Sequence, residues 1–512
     1  MSLLPESAPA PPEPVLRVEN LTKRFPRVLA VDCVSLTVQP GEVHCLLGEN
    51  GAGKTTLSEC LYGYLRPDSG SICFKGHRVE NHSPRDSIRM GIGMVHQHFV
   101  LIDTLSVVEN VVLGVEGPGW RLDLAQARAK LTRLCQEYGV ELDLNAKIWQ
   151  LPVGQQQWVE ILKTLYLGAD LLIFDEPTAV LTPQESESLF SVLKKMKSRG
   201  LSILLITHKL REVMAVSDRV TILRKGQLVR TVATAEVQLP ELARLMVGRE
   251  VGLRVTKETQ APGQPRLEVK QLSALNNFGR RVLHNVSFDL RAGEILGIAG
   301  VSGNGQKELS EVLIGVRRSE AGQVLVAGER LARPTVRTLM AKGVGHIPQD
   351  RIAEGLIVDF SIAWNLILGV AADRPFHLGP FLRERAIQDF AKKCIQDFDI
   401  MTPSPNQTAR TLSGGNLQKV IVARELSQRP QCLIANQPTR GLDVGAIEYV
   451  HKLLLEQRRQ GAAVLLISED LEEIFTLADR IAVMFKGQIV GVFDTPHASL
   501  EQIGLLMAGI HD

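Results

Sequence analysis

The sequence predicts an α/β fold made of two tandem copies of one unit, and two observations predict it. First, "LRVENLTKRFPRVLAVDCVSLTVQPGEVHCLLGENGAGK" at 16–54 matches "LEVKQLSALNNFGRRVLHNVSFDLRAGEILGIAGVSGNGQ" at 267–306. Second, both copies run from alternating strand-like residues through a Gly-Glu turn into an apolar strand and a glycine-rich loop. The copies lie 252 residues apart at these loops and 260 apart when Gly154 of "LPVGQQQ" is paired with Gly414 of "LSGGNLQ", which indicates an insertion of about eight residues.

Length and composition agree with two globular domains. A chain of 512 residues suits two cores of about 250 residues each. A content of 45% hydrophobic and 22% charged residues is typical of globular proteins. We expect a disordered Pro/Ala-rich tail at 1–15, a first domain at 16–252, a linker at 253–266 and a second domain at 267–510.

Charge, cysteines and hydropathy narrow the function classes. The net charge of +2 gives no basic field, so nucleic acid is not favoured as a partner. The seven cysteines include no C-x-x-C pair, which predicts reduced thiols in the cytosol and argues against a zinc or disulfide framework. No apolar stretch approaches the roughly 18 residues of a membrane helix, so another chain would have to supply any membrane span.

The first copy carries a phosphate-binding loop. "GENGAGKT" fits G-x-x-x-x-G-K-[ST] between an apolar strand and a predicted helix. The glycines let backbone N–H groups surround phosphates, Lys54 reaches the β- and γ-phosphate oxygens, and the Thr55 hydroxyl is a ligand for Mg²⁺. The alternative is a chance match in a glycine-rich turn. The predicted ATP-binding residues are Gly48, Glu49, Asn50, Gly51, Ala52, Gly53, Lys54, Thr55 and Thr56.

A pair of acids ends the buried strand of "LLIFDEPTAVLTP" at 171–183. Asp175 is expected beside the Mg²⁺ shell, and Glu176 is expected to polarise the attacking water as a general base. Acids after a strand are often only helix N-caps, but their place after a P-loop favours catalysis. The counterpart "CLIANQPTRGLDV" at 432–444 ends in Asn436 and Gln437, with an amide in place of each acid.

These motifs resemble one family over residues 16 to about 510. "EPTAVLTP", "LSGGN", "QPTRGLDVGA" and "ISEDL" together resemble the ATP-binding subunits of ABC transporters, and more narrowly the fused double-cassette subunits of simple-sugar and nucleoside importers. "VHQHFVLIDTLSVVENVVLG" is more similar to the nucleoside branch than to the ribose or galactose branch. The resemblance implies two tandem ABC-type P-loop ATPase domains, each with a mixed central sheet, an N-terminal antiparallel β-subdomain and a helical signature subdomain.

The resemblance also implies roles for three further residues of the first copy. Gln97 matches the Q-loop glutamine that contacts Mg²⁺ and the attacking water. His208 matches the switch histidine that contacts the γ-phosphate, and Phe25 matches the aromatic residue on which adenine stacks. The alternatives are a polar loop residue, a structural histidine and a core phenylalanine. A metal site on His96 and His98 is not expected, because alternate residues of an extended segment point to opposite sides.

The second copy has lost the groups that hydrolysis needs. Gln306 replaces the P-loop lysine, Lys307 replaces the threonine, and an amide such as Gln437 cannot act as a base. The position of the switch histidine is assigned to Ser468. The predicted degenerate site comprises Gly300, Gly303, Gly305, Gln306, Lys307, Gln349, Asn436, Gln437 and Ser468, together with Gly154 of the first copy.

The LSGGQ-like signature shows the opposite distribution. The second copy keeps "LSGGN", in which Ser413, Gly414 and Gly415 can approach a phosphate closely. The first copy reads "LPVGQ", where Pro152 lacks a hydroxyl and an N–H and Val153 brings a branched side chain. Because ABC cassettes pack head to tail, the resemblance implies one complete composite ATP site at the first P-loop and one defective site.

The resemblance implies an ATPase that uses ATP and Mg²⁺ to drive import of a nucleoside. It implies two membrane permease subunits and, through them, an extracytoplasmic solute-binding protein as partners. The chain would then be peripheral at the cytoplasmic face of the cell membrane. Import of a simple sugar is the alternative. A soluble tandem ABC ATPase that acts on ribosomes is a further one, against which the short linker and near-neutral charge argue.

Overall fold

The computed structural model divides into two compact units, Met1–Val251 and Gly252–Asp512. The predicted tail at 1–15 lies largely outside the described residues, and the predicted linker at 253–266 lies partly outside them. The structure describes residues 13–26, 28–79, 83–96, 99–114, 123–178, 181, 183–249, 257–258, 260–301, 303–331, 334–507 and 509.

The first unit alternates strands and helices along the chain. Its strands are β1 Leu16–Phe25, β2 Val28–Val38, β3 Val43–Leu47, β4 Ser69–Phe74, β5 His77–Val79, β6 Ile92–Val95, β7 Leu171–Asp175, β8 Ser202–Thr207, β9 Arg219–Arg224 and β10 Gln227–Ala233. Its α-helices are α1 Lys54–Tyr62, α2 Pro84–Met90, α3 Val107–Val112, α4 Leu124–Tyr138, α5 Val153–Tyr166, α6 Pro183–Ser198, α7 Leu210–Val216 and α8 Leu239–Val247.

Two sheets organise this unit. An antiparallel sheet has the order β2-β1-β4-β5, and a mixed sheet has the order β10-β9-β3-β8-β7-β6, parallel except for β10. The strands β3, β7 and β8 are buried along their whole length, as apolar parallel strands covered on both faces require. Since their carboxyl ends meet at one edge of the sheet, the glycine-rich loop, Asp175 and Thr207 all lie at that edge.

A helical subdomain is formed by α3, α4 and α5 around a separate apolar cluster that includes Val107, Leu131 and Leu162. The side chain of Asn110 fixes the loop before α3. Its Oδ1 accepts the N–H of Ile102 at 2.8 Å, and its Nδ2 donates to the carbonyl of Ile102 at 3.1 Å. The antiparallel subdomain, the mixed sheet and the helical subdomain that the resemblance implies are therefore confirmed in this unit.

The second unit repeats this order of elements. Its strands are β11 Pro265–Leu275, β12 Arg281–Arg291, β13 Ile295–Ala299, β14 Ala321–Val326, β15 Glu329–Arg330, β16 Val344–Ile347, β17 His377–Leu378, β18 Phe381–Leu382, β19 Cys432–Asn436, β20 Ala463–Ser468, β21 Arg480–Phe485 and β22 Gln488–Asp494. Its α-helices are α9 Gln306–Leu313, α10 Val336–Ala341, α11 Ile362–Leu366, α12 Glu384–Asp397, α13 Gly414–Ser427, α14 Val444–Arg459, α15 Leu471–Leu477 and α16 Leu500–Met507.

The sheets of the second unit have the same topology. The antiparallel sheet runs β12-β11-β14-β15, and the mixed sheet runs β16-β19-β20-β13-β21-β22, with β22 antiparallel to β21. The strands β17 and β18 form an additional hairpin. In neither unit is any helix among the described residues long and apolar enough to cross a membrane.

The extra residues of the second unit fall in two places. Asn365 repeats the contacts of Asn110, with bonds to the N–H and carbonyl of Ile357, and lies 255 positions later in the chain. The strand end at Asn436 corresponds to the strand end at Asp175, which is 261 positions earlier. From the offset of 252 at the glycine-rich loops, three residues are therefore added around the π-helical turn Arg351–Gly355, and six more in the part of the chain that contains the β17–β18 hairpin.

Candidate functional site

The glycine-rich loop of the first unit joins β3 to α1, and close backbone contacts fix its shape. A Cβ at Gly48 would lie 2.5 Å from the carbonyl oxygen of Leu223, and Gly53 has a left-handed φ of +99°. Lys54 is 5% exposed, and its Nζ donates to the carbonyls of Gly48 at 2.7 Å and Glu49 at 3.0 Å. The ammonium group therefore lies inside the loop, as the P-loop motif requires of a lysine that binds phosphate oxygens.

Asp175 lies at the end of β7 in a buried position beside the Thr55 hydroxyl. Burial, reinforced by the charge of Glu176, raises the pKa of Asp175 to about 6, although a hydrogen bond with Thr55 and the charge of Lys54 oppose this. Its Oδ1 is buried without a hydrogen-bond partner among the described residues. A buried carboxylate oxygen that lacks a partner and adjoins a hydroxyl fits a hard divalent cation such as Mg²⁺, which prefers oxygen ligands.

Glu176 has a left-handed φ of +48°, held by a hydrogen bond from its N–H to the carbonyl of Ile206 at 2.9 Å. This turn brings its Oε1 to 2.8 Å from Nδ1 of His208. Burial alone would raise the pKa of Glu176, but the hydrogen bond and charge of His208, with the charges of Lys54 and Lys209, hold that pKa below its usual value. The carboxylate is therefore ionised at neutral pH, as a general base must be.

A buried carboxylate that the motifs did not indicate supports this pair. Glu212 accepts hydrogen bonds from the hydroxyls of Thr178 and Thr207, the second at 2.7 Å. The Nζ of Lys209 donates to the hydroxyl and the carbonyl of Thr178, both at 3.1 Å. The sequence repeat of "THKLREV" as "SEDLEEI" could have indicated this residue, because both segments have Glu at the sixth position. In the second unit that residue is Glu473, which accepts a hydrogen bond from the hydroxyl of Thr439 at 2.8 Å.

The remaining predicted residues of this site differ in how far the structure places them. Thr55 and Thr56 follow Lys54 in the first turn of α1. Phe25 ends β1 and is 42% exposed, so it is not a core residue and its ring is accessible for stacking. Gln97 lies outside the described residues.

The glycine-rich loop of the second unit keeps its backbone form without its charge. Gly303 and Gly305 have left-handed φ values of +86° and +101°, which match the loop of the first unit. The Nε2 of Gln306 donates to the carbonyl of Val301 at 3.0 Å, which corresponds to the bond from Lys54 to Glu49. An amide therefore replaces the ammonium group as the donor that closes the loop.

Lys307 stands in the position of the P-loop threonine, but its side chain is 61% exposed. Its Nζ lies 3.9 Å from an oxygen of Glu311 and 3.8 Å from an oxygen of Glu354. Gln349, half-buried, follows β16 at the place that Gln97 has in the sequence of the first copy. Two carboxylates neighbour the Lys307 ammonium group, which weakens its attraction for phosphate.

The amide pair occupies the same backbone positions as the acid pair. Asn436 ends β19 and is 4% exposed, and Gln437 has a φ of +49° with its N–H bonded to the carbonyl of Ile467 at 2.8 Å. The backbone geometry of the acid pair is thus retained after the carboxylates are gone.

One assignment of the degenerate site is wrong by one residue. Strand pairing places Ile467 opposite Asn436 as Ile206 lies opposite Asp175, so Ser468 corresponds to Thr207 and not to His208. The hydroxyls of Thr207 and Ser468 make the same contact, because each accepts a hydrogen bond from the N–H of the residue two positions later at 3.0 Å. The position of His208 is taken by Glu469, which is exposed. The offset between the copies is 261 at this strand end and not 260, so the sequence comparison was short by one inserted residue. A carboxylate at this position repels phosphate.

The signature segment of the second unit begins α13. Ser413 is the N-cap residue, and its hydroxyl accepts a hydrogen bond from Asn416 at 3.0 Å. A Cβ added at Gly414 or Gly415 would make only ordinary contacts, at 3.5 Å with Arg351 and 3.4 Å with Ala446. Packing within this unit therefore does not require glycine at either position.

In the first unit, Pro152 occupies the N-cap position of α5. Its carbonyl accepts hydrogen bonds from the N–H groups of Gln155 and Gln156, both at 3.0 Å, and so begins the helix. A Cβ at Gly154 would collide with the carboxylate of Glu185, which would have to move. The side chain of Val153 lies outside the described residues. The proline lets the helix form while it removes the hydroxyl and N–H of a signature serine.

Comparison with known proteins defines the class to which this fold and site belong. The ABC transporter family model matches residues 31–179 and 283–440, more than half of the chain and once in each unit. The chain belongs to the ABC transporter family and is an ABC-type ATPase with two tandem cassettes.

Individual relatives extend over nearly the whole chain. It is 46% identical to the glucose import ATP-binding protein TsgD13 of Haloferax volcanii, over 97% of this chain and 96% of the relative. It is 45% identical to the guanosine import ATP-binding protein NupO of Bacillus subtilis, over 97% and 98%. Among solved structures, the archaeal ribosome recycling factor aABCE1 covers 96% of this chain and 92% of its own with a TM-score of 0.62, but at 19% identity it supports the fold alone.

Proposed function

We propose that this ATPase energises import of a nucleoside through two separate membrane permease chains, supplied by an extracytoplasmic solute-binding protein. The observation that carries the proposal is the similarity to a guanosine import ATP-binding protein over 97% of the chain. The segment "VHQHFVLIDTLSVVENVVLG" favours the same branch. In this role the chain is a peripheral protein of the cytoplasmic face of the membrane.

Import of a sugar is the second candidate, because a glucose import ATP-binding protein is similar over the same share of the chain. The solute enters through the permeases and the binding protein, so the ATPase site is compatible with either solute. The ribosome recycling factor shares the fold at 19% identity, which supports no shared activity.

We propose that hydrolysis occurs at the P-loop of the first unit. Lys54 would bind phosphate oxygens, and Thr55 and Asp175 would hold Mg²⁺, with Gln97 as a further ligand. The metal ion, when bound, neutralises charge on the transferred phosphoryl group. Glu176, ionised and oriented by His208, accepts the proton of the attacking water.

We further propose that Ser413, Gly414 and Gly415 complete this site on ATP binding. The two glycines are consistent with this, because packing within their own unit does not require them. A phosphate that approaches the N–H groups at the start of α13 would favour positions without a Cβ. ATP would then favour the closed state of the two cassettes by binding that state more tightly.

The degenerate site would not hydrolyse ATP, whether or not it binds nucleotide. The groups at its phosphate end are Gln306, Asn436, Gln437 and the acidic Glu469, of which none is a base placed like Glu176. Pro152 removes the signature donor from the same site. The losses thus fall together on one site, and the other site keeps every group that it needs.

The solute is tested by uptake in cells that lack the chain. Deletion should abolish uptake of labelled guanosine and leave glucose and ribose uptake intact, and the wild-type gene should restore it. A Glu176→Gln copy, which the site predicts to be inactive, is the matched control for expression. Normal guanosine uptake with loss of glucose or ribose uptake would assign the sugar branch instead. Unchanged uptake of all three solutes, with co-sedimentation on ribosomes, would contradict the importer.

A further inference from the structure

An arginine of the second unit joins three segments that surround its signature. Arg351 lies two residues after Gln349, at the start of the π-helical turn Arg351–Gly355. One guanidinium nitrogen donates to the carbonyl of Gly414 at 3.2 Å, and another donates to the carbonyl of Arg440 at 2.8 Å. Gly414 begins α13, and Arg440 lies in the turn that follows Gln437, bonded to it through its own N–H at 3.1 Å.

The turn that carries Arg351 is itself fixed at both ends. Oδ1 of Asp350 accepts the N–H groups of Ile352 and Ala353 at 2.9 Å. At the other end, Arg424 of α13 donates to the carbonyl of Gly355 at 2.7 Å. The turn and α13 are therefore connected at the first residue of the helix and again ten residues later, so a displacement of one is transmitted to the other.

We propose that Arg351 is a positioning residue that holds the intact signature in the orientation that binds ATP of the first P-loop. This inference rests on the proposed function, in which the signature completes that site. A planar guanidinium can donate to two carbonyls in fixed directions, which a lysine ammonium group cannot reproduce. The turn after Gln437 supplies one of these two carbonyls. The turn would therefore help to position the signature even though its own site does not hydrolyse ATP.

Among the described residues of the first unit, no arginine joins the start of α5 to the turn after Glu176. Phe99 follows Gln97 by two residues, as Arg351 follows Gln349, and its ring has no hydrogen-bond donor. The same unit carries Pro152 in place of the signature serine. The guanidinium is thus found in the unit that keeps its signature, as expected if it serves that signature.

The expected consequence is a change in KM with little change in kcat. Without the two bonds, a smaller fraction of the protein holds the start of α13 in the orientation that binds ATP. The apparent affinity for ATP falls in proportion to that fraction. Saturating ATP restores the competent state, so the chemical step is retained. Arg351→Lys should raise the KM for ATP about 10- to 150-fold, the range for a lost hydrogen bond of a charged donor, and alter kcat less than about threefold.

The test is the ATP dependence of phosphate release by the protein assembled with its permeases. Arg458→Lys is the matched control, because Arg458 also forks between two oxygens, those of Asp479 at 2.7 and 3.0 Å, on the C-terminal part of α14. It should lose thermal stability with an unchanged KM. If Arg351→Lys does not fold, Arg351→Gln is measured with the same expectation.

An unchanged KM in a folded Arg351 variant, or an equal fall of kcat at saturating ATP, would overturn the inference. Glu176→Gln is measured beside it to separate the two proposals. If Glu176→Gln retains turnover, the proposed function fails whatever Arg351 does. If Glu176→Gln is inactive and the KM of Arg351→Lys is normal, only the role of Arg351 fails.

Discussion

Replacing Asp175 by asparagine should make the nucleotide-free protein more stable while it removes Mg²⁺-dependent ATP hydrolysis. Asp175 is 3% exposed, and burial with the nearby charge of Glu176 raises its pKa to about 6 from 3.8. About two pKa units correspond to about 3 kcal/mol against the charged carboxylate. Asn436 shows that the same strand end in the second unit accommodates an amide in a buried position.

The effect has a defined pH dependence. Because the folded carboxyl group of Asp175 holds its proton more tightly than the unfolded chain does, the free energy of unfolding falls as pH rises from about 4 to about 6. Below this window the carboxyl is protonated in both states and Asp175→Asn should have little effect. Above it the variant should gain about 1–3 kcal/mol, or roughly 3–10 °C in the Tm of a unit of this size.

The assay is thermal unfolding of nucleotide-free protein in a chelator across this pH range, followed by the same scan with Mg-ATP. The mirror variant Asn436→Asp should lose stability above about pH 6 in the transition of the second unit. Stabilisation by Mg-ATP should be reduced in Asp175→Asn and unchanged in the mirror variant. A loss of nucleotide-free stability in Asp175→Asn near neutral pH, or a gain independent of pH, would show that burial does not disfavour the charged form of Asp175.

Two further variants separate the site from the fold. His208→Ala removes the hydrogen bond and charge that lower the pKa of Glu176 against the effect of burial. The pKa of Glu176 should therefore rise, and the acidic limb of the pH profile of kcat should move to higher pH. An unchanged limb would show that His208 and Glu176 do not act together. Gly415→Ala should keep or raise thermal stability by about 0.5–1 kcal/mol, because its Cβ meets only an ordinary contact, yet raise the KM for ATP. Gly48→Ala, which drives a Cβ against a backbone carbonyl, should lose stability, and equal stability losses in both glycine variants would contradict the distinction.

The sequence predicted the duplicated architecture because each copy keeps strong local patterns. The apolar runs that became β3 and β7 are buried throughout, and the loop at Lys54 has the P-loop form. The acid and amide pairs were matched correctly, since Asp175 and Asn436 each end a short apolar strand. These elements are specified by a few neighbouring residues, so a linear comparison finds them.

What the sequence could not give are relations that depend on register and on distant partners. The nine inserted residues are split between a π-helical turn and a hairpin, and a count that was one residue short assigned the switch position to Ser468 and not to Glu469. The hydrogen bonds of Glu212 and Arg351 join residues up to 89 positions apart. Such contacts have no periodicity, and only the folded arrangement reveals them.

We expect ATP to be hydrolysed at one site only, the one that contains Glu176. The most direct measurement is steady-state phosphate release by Glu176→Gln assembled with its permeases, with Gln437→Glu as the mirror control. Glu176→Gln should release phosphate about 10²- to 10⁴-fold more slowly, with ATP still bound. Gln437→Glu should give no gain, because Asn436 and Gln306 still lack the carboxylate and the ammonium group. A Glu176→Gln rate near half that of the wild type would contradict this expectation, since the second site would then supply the other half.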